Sequence, residues 1–421
     1  MPCRCLYLLF AVILVPIFPS TSWAAAAHST VQYLLFQIFT GGPEPQSGIY
    51  RRGLPKEGML AITGRIADSV RPERSDPNRI LGFSVGPIAM DQGAAEVGSV
   101  ISDAFDVALK TDMAVALHLD DYMFWGHART SDGRLLQAAS NASEWKDWSG
   151  TPAGGLEIGW LPNVRLPPQM CYESPSVRDF VTYWARDVVG SEVKRQFDKL
   201  VAAGKPQLFA GVIVGWESNL AYGYCSLSHL GYSAAKPPVD FDRERERILQ
   251  RHIARWAKGI YDAGIPKDLI FTHVAPIPKR QYQMMTTMMP ASRLREIHQS
   301  TAFRAFWTGF NSYSTPGFSA YPADGLFDDL YQEIGAHGRG SWGMVEGVNV
   351  ELGPGGPTRS PLTWETYLAR NFNHGARLVN LFGAFQGDGA GEFRLATEST
   401  QALAAYRKFL QGNELVEEPE Q

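Results

Sequence analysis

The stretch Leu200–Glu217, LVAAGKPQLFAGVIVGWE, decides the fold. A helix-period segment stops at Gly204, and Pro206 in the link keeps a helix from continuing. An apolar run through Val212, Ile213 and Val214 follows. Such a run, rich in β-branched residues, predicts a strand buried on both faces in a parallel sheet. The same order of helix, glycine, short link and strand recurs in Ile260–Pro276 (IYDAGIPKDLIFTHVAP), Ile334–Val350 (IGAHGRGSWGMVEGVNV) and Asn371–Gln386 (NFNHGARLVNLFGAFQ).

Working outward, strands are predicted near 31–39, 81–90, 113–120, 208–216, 267–275, 302–310, 341–346 and 377–385. Helical patterns fall near 56–70, 94–110, 175–203, 241–263, 324–337 and 361–374, with a last helix at 397–411. Between the fifth and sixth strands the only helix candidate is ASRLREIHQS, Ala291–Ser300. Ser174-Pro175 supplies an N-cap and first-turn proline, after which Val177, Phe180, Val181, Trp184 and Val188 share one helical face. Leu249, Ile253, Trp256 and Ile260 do the same further on. Eight strands alternating with helices predict right-handed parallel crossovers and an α/β fold, a single (β/α)8 TIM barrel over residues 28–421. An open doubly wound sheet is the rival. It calls for a glycine-rich phosphate loop after the first strand, and LLFQIFTGGPEPQSG lacks that spacing. Two long strand-to-helix excursions, Met123–Cys171 and Gly353–Pro361, fall on the C-terminal face, where barrels of this kind carry their sites.

Composition narrows the partners. The 421 residues carry a net charge of −4 with no basic stripe, which argues against nucleic acid and anionic membranes. Arg243–Arg247 alternates arginine with Glu244 and Glu246, the pattern of a solvated helix face. At the N-terminus, Arg4, the apolar run Leu6–Phe18 and an alanine-rich end predict a secretory signal over 1–27, cleaved after Ala24 to Ala27, with a membrane anchor as the alternative. The expected compartment is therefore extracellular or periplasmic, with no stable membrane insertion once the signal is removed. Of four cysteines, Cys171 and Cys225 remain in the mature chain. In an oxidising compartment they predict one disulfide, worth roughly 4 kcal/mol for so long a loop. Two unpaired buried thiols are the alternative. Asn141-Ala142-Ser143 matches an N-glycosylation acceptor, meaningful in a eukaryotic source. Oligomeric state is not legible.

The ends of the strands hold the chemistry. The third ends in His118, Asp120 and Asp121; the fourth in Trp216, Glu217 and Asn219; the fifth contains Thr272 and His273. The sixth runs toward Asn311 and Tyr313, the seventh supplies Glu346 and Asn349, and the eighth leads to Gln386 and Asp388. Buried carboxylates are rare unless paired or used. Glu217 and Glu346, on strands across the barrel, can divide the work of cleaving a glycosidic bond. One stays protonated as general acid, and the other stays ionised as nucleophile or base. The aromatic residues Tyr122, Phe124, Trp125, Trp145, Trp148 and Trp160 lie in or beside the third-strand excursion. They offer flat faces for sugar rings, or else pack that loop onto the barrel. His118, Asp120, Asp121, Trp125, Trp216, Asn219, His273, Asn311, Tyr313 and Gln386 are the candidate substrate contacts. The histidines stand equally as satisfied core residues. Alternation along the strand turns one of the two aspartates away from the pocket. Glu351 competes with Glu346 if the seventh strand is shifted.

This arrangement resembles the large clan of retaining (β/α)8 glycoside hydrolases, which carry an acid/base glutamate ending strand four and a nucleophilic glutamate ending strand seven. The resemblance covers the whole mature chain as architecture and the two glutamates as motif. It implies Glu217 as acid/base and Glu346 as nucleophile, with Tyr313 beside the nucleophile as the strand-six tyrosine. Those enzymes usually place Asn immediately before the acid/base; here Trp216 stands there, and Asn219 comes two residues after Glu217. No cofactor is implied; the first strand lacks the His-x-His pair of a metal-dependent hydrolase on this fold, and no Gly-x-Ser-x-Gly motif marks a serine nucleophile. The expected activity is hydrolysis of a poly- or oligosaccharide by two carboxylates. The alternative is a secreted barrel that binds a glycan without cleaving it.

Overall fold

Along Gln32–Phe39 (β1), Tyr33 and Leu35 alternate with Leu34, Phe36 and Ile38, and the two sets enter different cores. The computed structural model describes residues 31–44, 49–156, 164–278, 287, 305–322, 325–350, 352–353, 356–357, 362–382 and 399–418. The predicted signal, the helix sought at 291–300, and Trp160, Glu351, Gln386 and Asp388 lie outside the described residues.

The strands that follow β1 are Arg79–Ile88 (β2), Ala114–Leu119 (β3), Phe209–Val214 (β4), Ile270–Thr272 (β5), Gly317–Ser319 (β6), Trp342–Gly347 (β7) and Ala376–Leu381 (β8). They form one parallel sheet in the order β5-β4-β3-β2-β1-β8-β7-β6. Parallel bridges Phe271–Thr315 and Val274–Phe318 join its two ends, with Ser319 N donating to Val274 O at 2.9 Å. The sheet is therefore a (β/α)8 barrel.

Helices fill the connections: Lys56–Val70 (α1), Ala94–Thr111 (α2), Pro175–Tyr183 (α3), Ser191–Ala202 (α4), Tyr224–His229 (α5), Phe241–Asp262 (α6), Leu326–Ala336 (α7), Trp364–Phe372 (α8) and Thr400–Leu410 (α9). Ser174 Oγ caps α3, accepting from Val177 N at 3.4 Å. A π-helical turn, Trp184–Gly190, links α3 to α4, so the predicted helix at 175–203 is continuous but locally widened. None of the described helices is long and apolar enough to cross a membrane.

Side-chain alternation sorts the interior into layers. Outward-facing strand residues pack under the helices in one large cluster that includes Leu34, Phe36, Phe83, Val85, Val115, Leu117, Val212 and Val214. Inside the barrel, Tyr33, Leu35, Ala114, Ala116, Ile213, Phe271, Val345 and Leu378 form a separate apolar cluster. One step further along the strands the inward positions turn polar: Gln37, Ser84, His118, His273, Ser319 and Asn380, all buried. The barrel thus changes from an apolar to a hydrogen-bonded layer toward its C-terminal face.

The sixth strand departs from expectation. Residues 302–310 were expected to form it, yet Phe306–Gly309 is a 3₁₀ turn and the strand is Gly317–Ser319. Phe306 and Phe310 gain their burial by packing on Phe318, with ring centroids 5.6 and 5.8 Å away. Gly317 is what the close strand approach demands, since a Cβ there would stand 2.1 Å from Thr272 O. The apolar run marks the strand's cover, not the strand.

Cys171 and Cys225 form a disulfide that ties the β3 excursion to α5. Beside it the buried carboxyl of Glu144 accepts from the backbone of Cys225 and Ser226, at 3.0 and 3.2 Å, and from the Ser226 hydroxyl. Burial nevertheless pushes this carboxyl up to about 7. Replacing both cysteines with serine is expected to cost about 2–5 kcal/mol in denaturant unfolding.

Candidate active site

β4 delivers Glu217 through a strained turn. Gly215 has φ 102°, where a Cβ would stand 2.5 Å from Ser218 Oγ, so only glycine fits. Glu217 itself has φ 55°, a left-handed conformation that costs a non-glycine residue about 1–2 kcal/mol. Asp121, wholly buried, holds this turn: Oδ1 accepts from Trp216 N at 3.2 Å and Oδ2 from Ser218 Oγ at 2.6 Å. His252 Nε2 approaches Asp121 Oδ2 at 3.5 Å from α6. Asp121→Ala is expected to cost about 1–3 kcal/mol by orphaning the Trp216 amide. It should also lower kcat more than it changes KM, which paired unfolding and kinetic measurements would check.

β7 delivers Glu346, which is 3 % exposed. Two residues at the end of β6 grip the two glutamates: Ser319 Oγ lies 3.0 Å from Glu217 Oε1, and Tyr321 OH donates to Glu346 Oε1 at 2.9 Å. Glu346 Oε2 has no hydrogen-bond partner among the described residues. Burial raises both carboxyls, Glu346 well above the usual range, and the charge of Glu217 pushes Glu346 further up against the pull of the Tyr321 hydroxyl. The phenols of Tyr122 and Tyr321 are also raised, by burial first and then by nearby carboxylates: Glu217, Asp121, Asp120 and Glu346 for Tyr122, and both glutamates for Tyr321. The four groups therefore lie within electrostatic reach of one another.

Beneath the glutamates runs a buried chain of contacts. His273 Nε2 lies 2.8 Å from Ser319 Oγ, His273 Nδ1 lies 2.9 Å from His118 Nε2, and His118 Nδ1 lies 3.1 Å from Gln37 Oε1. Burial lowers both imidazoles, His273 to about 3, so each is neutral. Trp216 stacks on His118 with ring centroids 3.9 Å apart. Gly86 leaves room for the pair, since a Cβ there would fall 2.8 Å from both. His118, His273 and Glu346 also bring three ligand-type atoms within 4.8 Å of one another, the one described group here that could hold a metal. Its imidazole nitrogens are already engaged with each other, Gln37 and Ser319.

Several predicted contacts have other work. Asp120 Oδ1 accepts from Tyr122 N and Met123 N, at 3.2 and 2.9 Å, and Oδ2 from Phe124 N at 2.6 Å. Burial and the neighbouring Asp121 still push this carboxyl up to about 7. Both aspartates, expected to bind sugar hydroxyls, spend their oxygens on the protein's own backbone and Ser218. Trp125 is fully buried and donates its indole N–H to Pro168 O at 2.9 Å, so it packs the loop. Trp148 meets Tyr224 edge-on at 5.1 Å and is half-buried in the same packing. Trp216 is 2 % exposed. Asn219 remains half-exposed beside the site, its Nδ2 donating to Tyr122 OH at 3.3 Å and its carbonyl accepting from Tyr172 OH at 2.9 Å.

Asn311 and Tyr313 precede β6 and stand at the opposite, N-terminal end of the barrel. Tyr313 packs on Tyr261 at the end of α6 at 5.8 Å, and Asn311 O accepts from Arg339 at 2.8 Å. The tyrosine beside Glu346 is Tyr321, missed because the strand was placed too early. Gln37, Ser84 and Asn380 were missed too. Their signal was a single polar residue at an inward position of an otherwise apolar strand.

No protein-family model matches the chain, and no curated protein matches it. Among solved structures, similar chain traces include a GH5-4 broad specificity endoglucanase from an uncultured bacterium, at 8% identity and TM-score 0.46 over 91% of this chain and 95% of that one. The catalytic domain of beta-amylase from Paenibacillus polymyxa aligns at 9% identity and TM-score 0.49 over 91% of this chain and 99% of that one. The catalytic domain of the Bacillus sp. JAMB-750 GH26 endo-beta-1,4-mannanase aligns at 12% identity and TM-score 0.42 over 90% and 85%. Likeness at this level carries no inference about chemistry, which rests on the side chains.

Proposed function

We propose that this chain is a secreted glycoside hydrolase in which Glu217 protonates the leaving oxygen and Glu346 attacks the anomeric carbon. The observation that carries the reading is the pair itself. Two carboxyls from the ends of β4 and β7, Glu217 partly and Glu346 wholly buried, are held by Ser319 and Tyr321 of one strand end, and burial raises both. Two carboxyls that resist joint ionisation can supply the acid and the nucleophile that glycosidic cleavage requires. The grips differ accordingly. Glu346 accepts from a phenol, which suits an anion, and its second oxygen is free of described protein partners. Glu217 is partly open to solvent, where a leaving group departs and water enters. Asn219, half-exposed near Glu217 and bonded to Tyr122 OH, is the proposed first contact to a sugar hydroxyl. The disulfide agrees with an oxidising compartment.

The experiment is turnover of a glycan by wild type, Glu217→Gln and Glu346→Gln, with folding of each checked by circular dichroism. Loss of cleavage in both folded variants supports the pair, and unchanged turnover in either removes that residue from its role. Net retention is part of the proposal: proton NMR of the first-formed sugar should show the anomer of the substrate, and the opposite anomer would assign Glu346 as a base for water.

A further inference from the structure

Inward positions climb each strand in steps of two, and aromatic rings stand one step above the polar layer. On β1 the inward series is Tyr33, Leu35, Gln37 and Phe39; the first three are buried and Phe39 is half-buried. On β8 the series Leu378 and Asn380, both wholly buried, continues to Phe382, which is half-buried. β2 brings no side chain to this level. Its Gly86, paired with Phe39, yields the place to Trp216, whose ring reaches from the end of β4 to within 2.8 Å of where a Gly86 Cβ would stand. The interior thus opens at a layer of rings on the C-terminal face.

These rings run from one glutamate to the other. Trp216 precedes Glu217, and its ring centroid lies 5.9 Å from that of Phe39. Phe39 lies 5.5 Å from Phe382, whose backbone N donates at 2.8 Å to the carbonyl of Gly347, the residue after Glu346. The planes of Trp216 and Phe382 meet that of Phe39 at 55° and 80°, so neither ring is stacked face to face on it. Packing accounts for Trp216, which is 2 % exposed and covers His118. It does not account for two outer rings that keep surface open beside a pair of carboxyls. Open apolar surface ringed by a few polar groups is how a pocket receives a ligand with both characters. A pyranose has them, with C–H bonds on its faces and hydroxyls around its rim.

We propose that Phe39, with Phe382 beside it, is the platform on which a neutral pyranose ring stacks next to Glu217 and Glu346. The proposal rests on the glycan reading above and names its substrate class. The platform comes from the strands, because Trp125 and Trp148 of the β3 excursion are spent on packing. Neutrality follows from the surrounding charge. Glu217, Glu346, Asp120 and Asp121 all act on Tyr122 here, so a sugar carboxylate or sulfate would enter among like charges.

The test is calorimetric titration of Glu346→Gln, which holds a glycan without consuming it, against the same protein carrying Phe39→Leu or Phe39→Tyr. The probes are cellotetraose, mannotetraose and maltotetraose. At least one is expected to bind; Phe39→Leu, apolar but without a flat face, should weaken it about tenfold, and Phe39→Tyr should restore it. A purely packing role would lower the melting temperature of Phe39→Leu and leave the Kd of the folded protein unchanged, which overturns the proposal, as does binding of none of the three probes. Tetragalacturonate, offered to wild type with every carboxyl in place, is expected not to bind, and binding tighter than that of the neutral probes overturns the substrate class. Where Phe39→Leu does not fold, Glu346→Gln protein deuterated except at its phenylalanine rings decides. Nuclear Overhauser contacts from those rings to sugar C–H protons support the platform, and their absence overturns it. Binding is read without turnover, so a glycan held by wild type and not cleaved would sink the hydrolase reading and leave this one standing. Cleavage with a Kd that Phe39→Leu does not move would sink this one alone.

Discussion

Glu217→Gln is expected to lower kcat/KM on an unactivated glycan by about 10²–10⁴-fold while the chain stays folded. The structural half follows from the grip on this residue. A glutamine amide can donate to Ser319 Oγ, 3.0 Å from the present carboxyl oxygen, as a protonated glutamate would, and it removes a carboxyl that burial makes costly to ionise. The chemical half follows from the loss of an acid beside the leaving oxygen. A substrate whose leaving group departs readily as an anion should recover much of the loss, because it needs less protonation. Equal deficits on activated and unactivated substrates would show that Glu217 has some other role.

Glu346→Gln is expected to lose more activity than Glu217→Gln and yet to be the more stable protein at neutral pH. An amide is a poor nucleophile, and Glu346 is the carboxyl that would form the bond to the sugar. The stability sign follows from linkage. Burial raises the folded carboxyl well above its ordinary 4.5, so the native state binds this proton more tightly than the unfolded chain does. That contribution is complete below pH 4.5 and is lost as pH rises through the folded value. Glutamine removes the loss. The variant should gain about 1–3 kcal/mol at neutral pH and nothing in acid, as urea unfolding at two pH values would read. A variant less stable than wild type at neutral pH would mean that Glu346 is held by favourable charge interactions.

How much of this was legible in the sequence depended on strand length and purity. β4 and β8, each six residues and flanked by a helix-ending glycine, were visible because an apolar run between a glycine and a functional residue has few other uses in a large chain. The two glutamates followed from the same reading, as residues just past or within the ends of β4 and β7. β6 was not legible. It has three residues, begins with glycine and contains no β-branched side chain, while the aromatic run that covers it looks more like a strand than it does. That one displacement carried Asn311 and Tyr313 to the wrong end of the barrel and hid Ser319 and Tyr321, which hold both carboxyls. Asp120 and Asp121 show a different limit. They were expected to bind sugar hydroxyls, but backbone amides satisfied by a carboxylate leave no trace in residue spacing.

The most direct measurement is the formation of new reducing ends when wild type, Glu217→Gln and Glu346→Gln are incubated side by side with a panel of α- and β-linked polysaccharides and oligosaccharides. The account predicts that wild type cleaves at least one of them and that both folded variants fail on that same substrate. A wild-type protein that binds a glycan on the panel as tightly as either variant and cleaves none would contradict it, leaving a barrel whose paired carboxyls hold a sugar without breaking it.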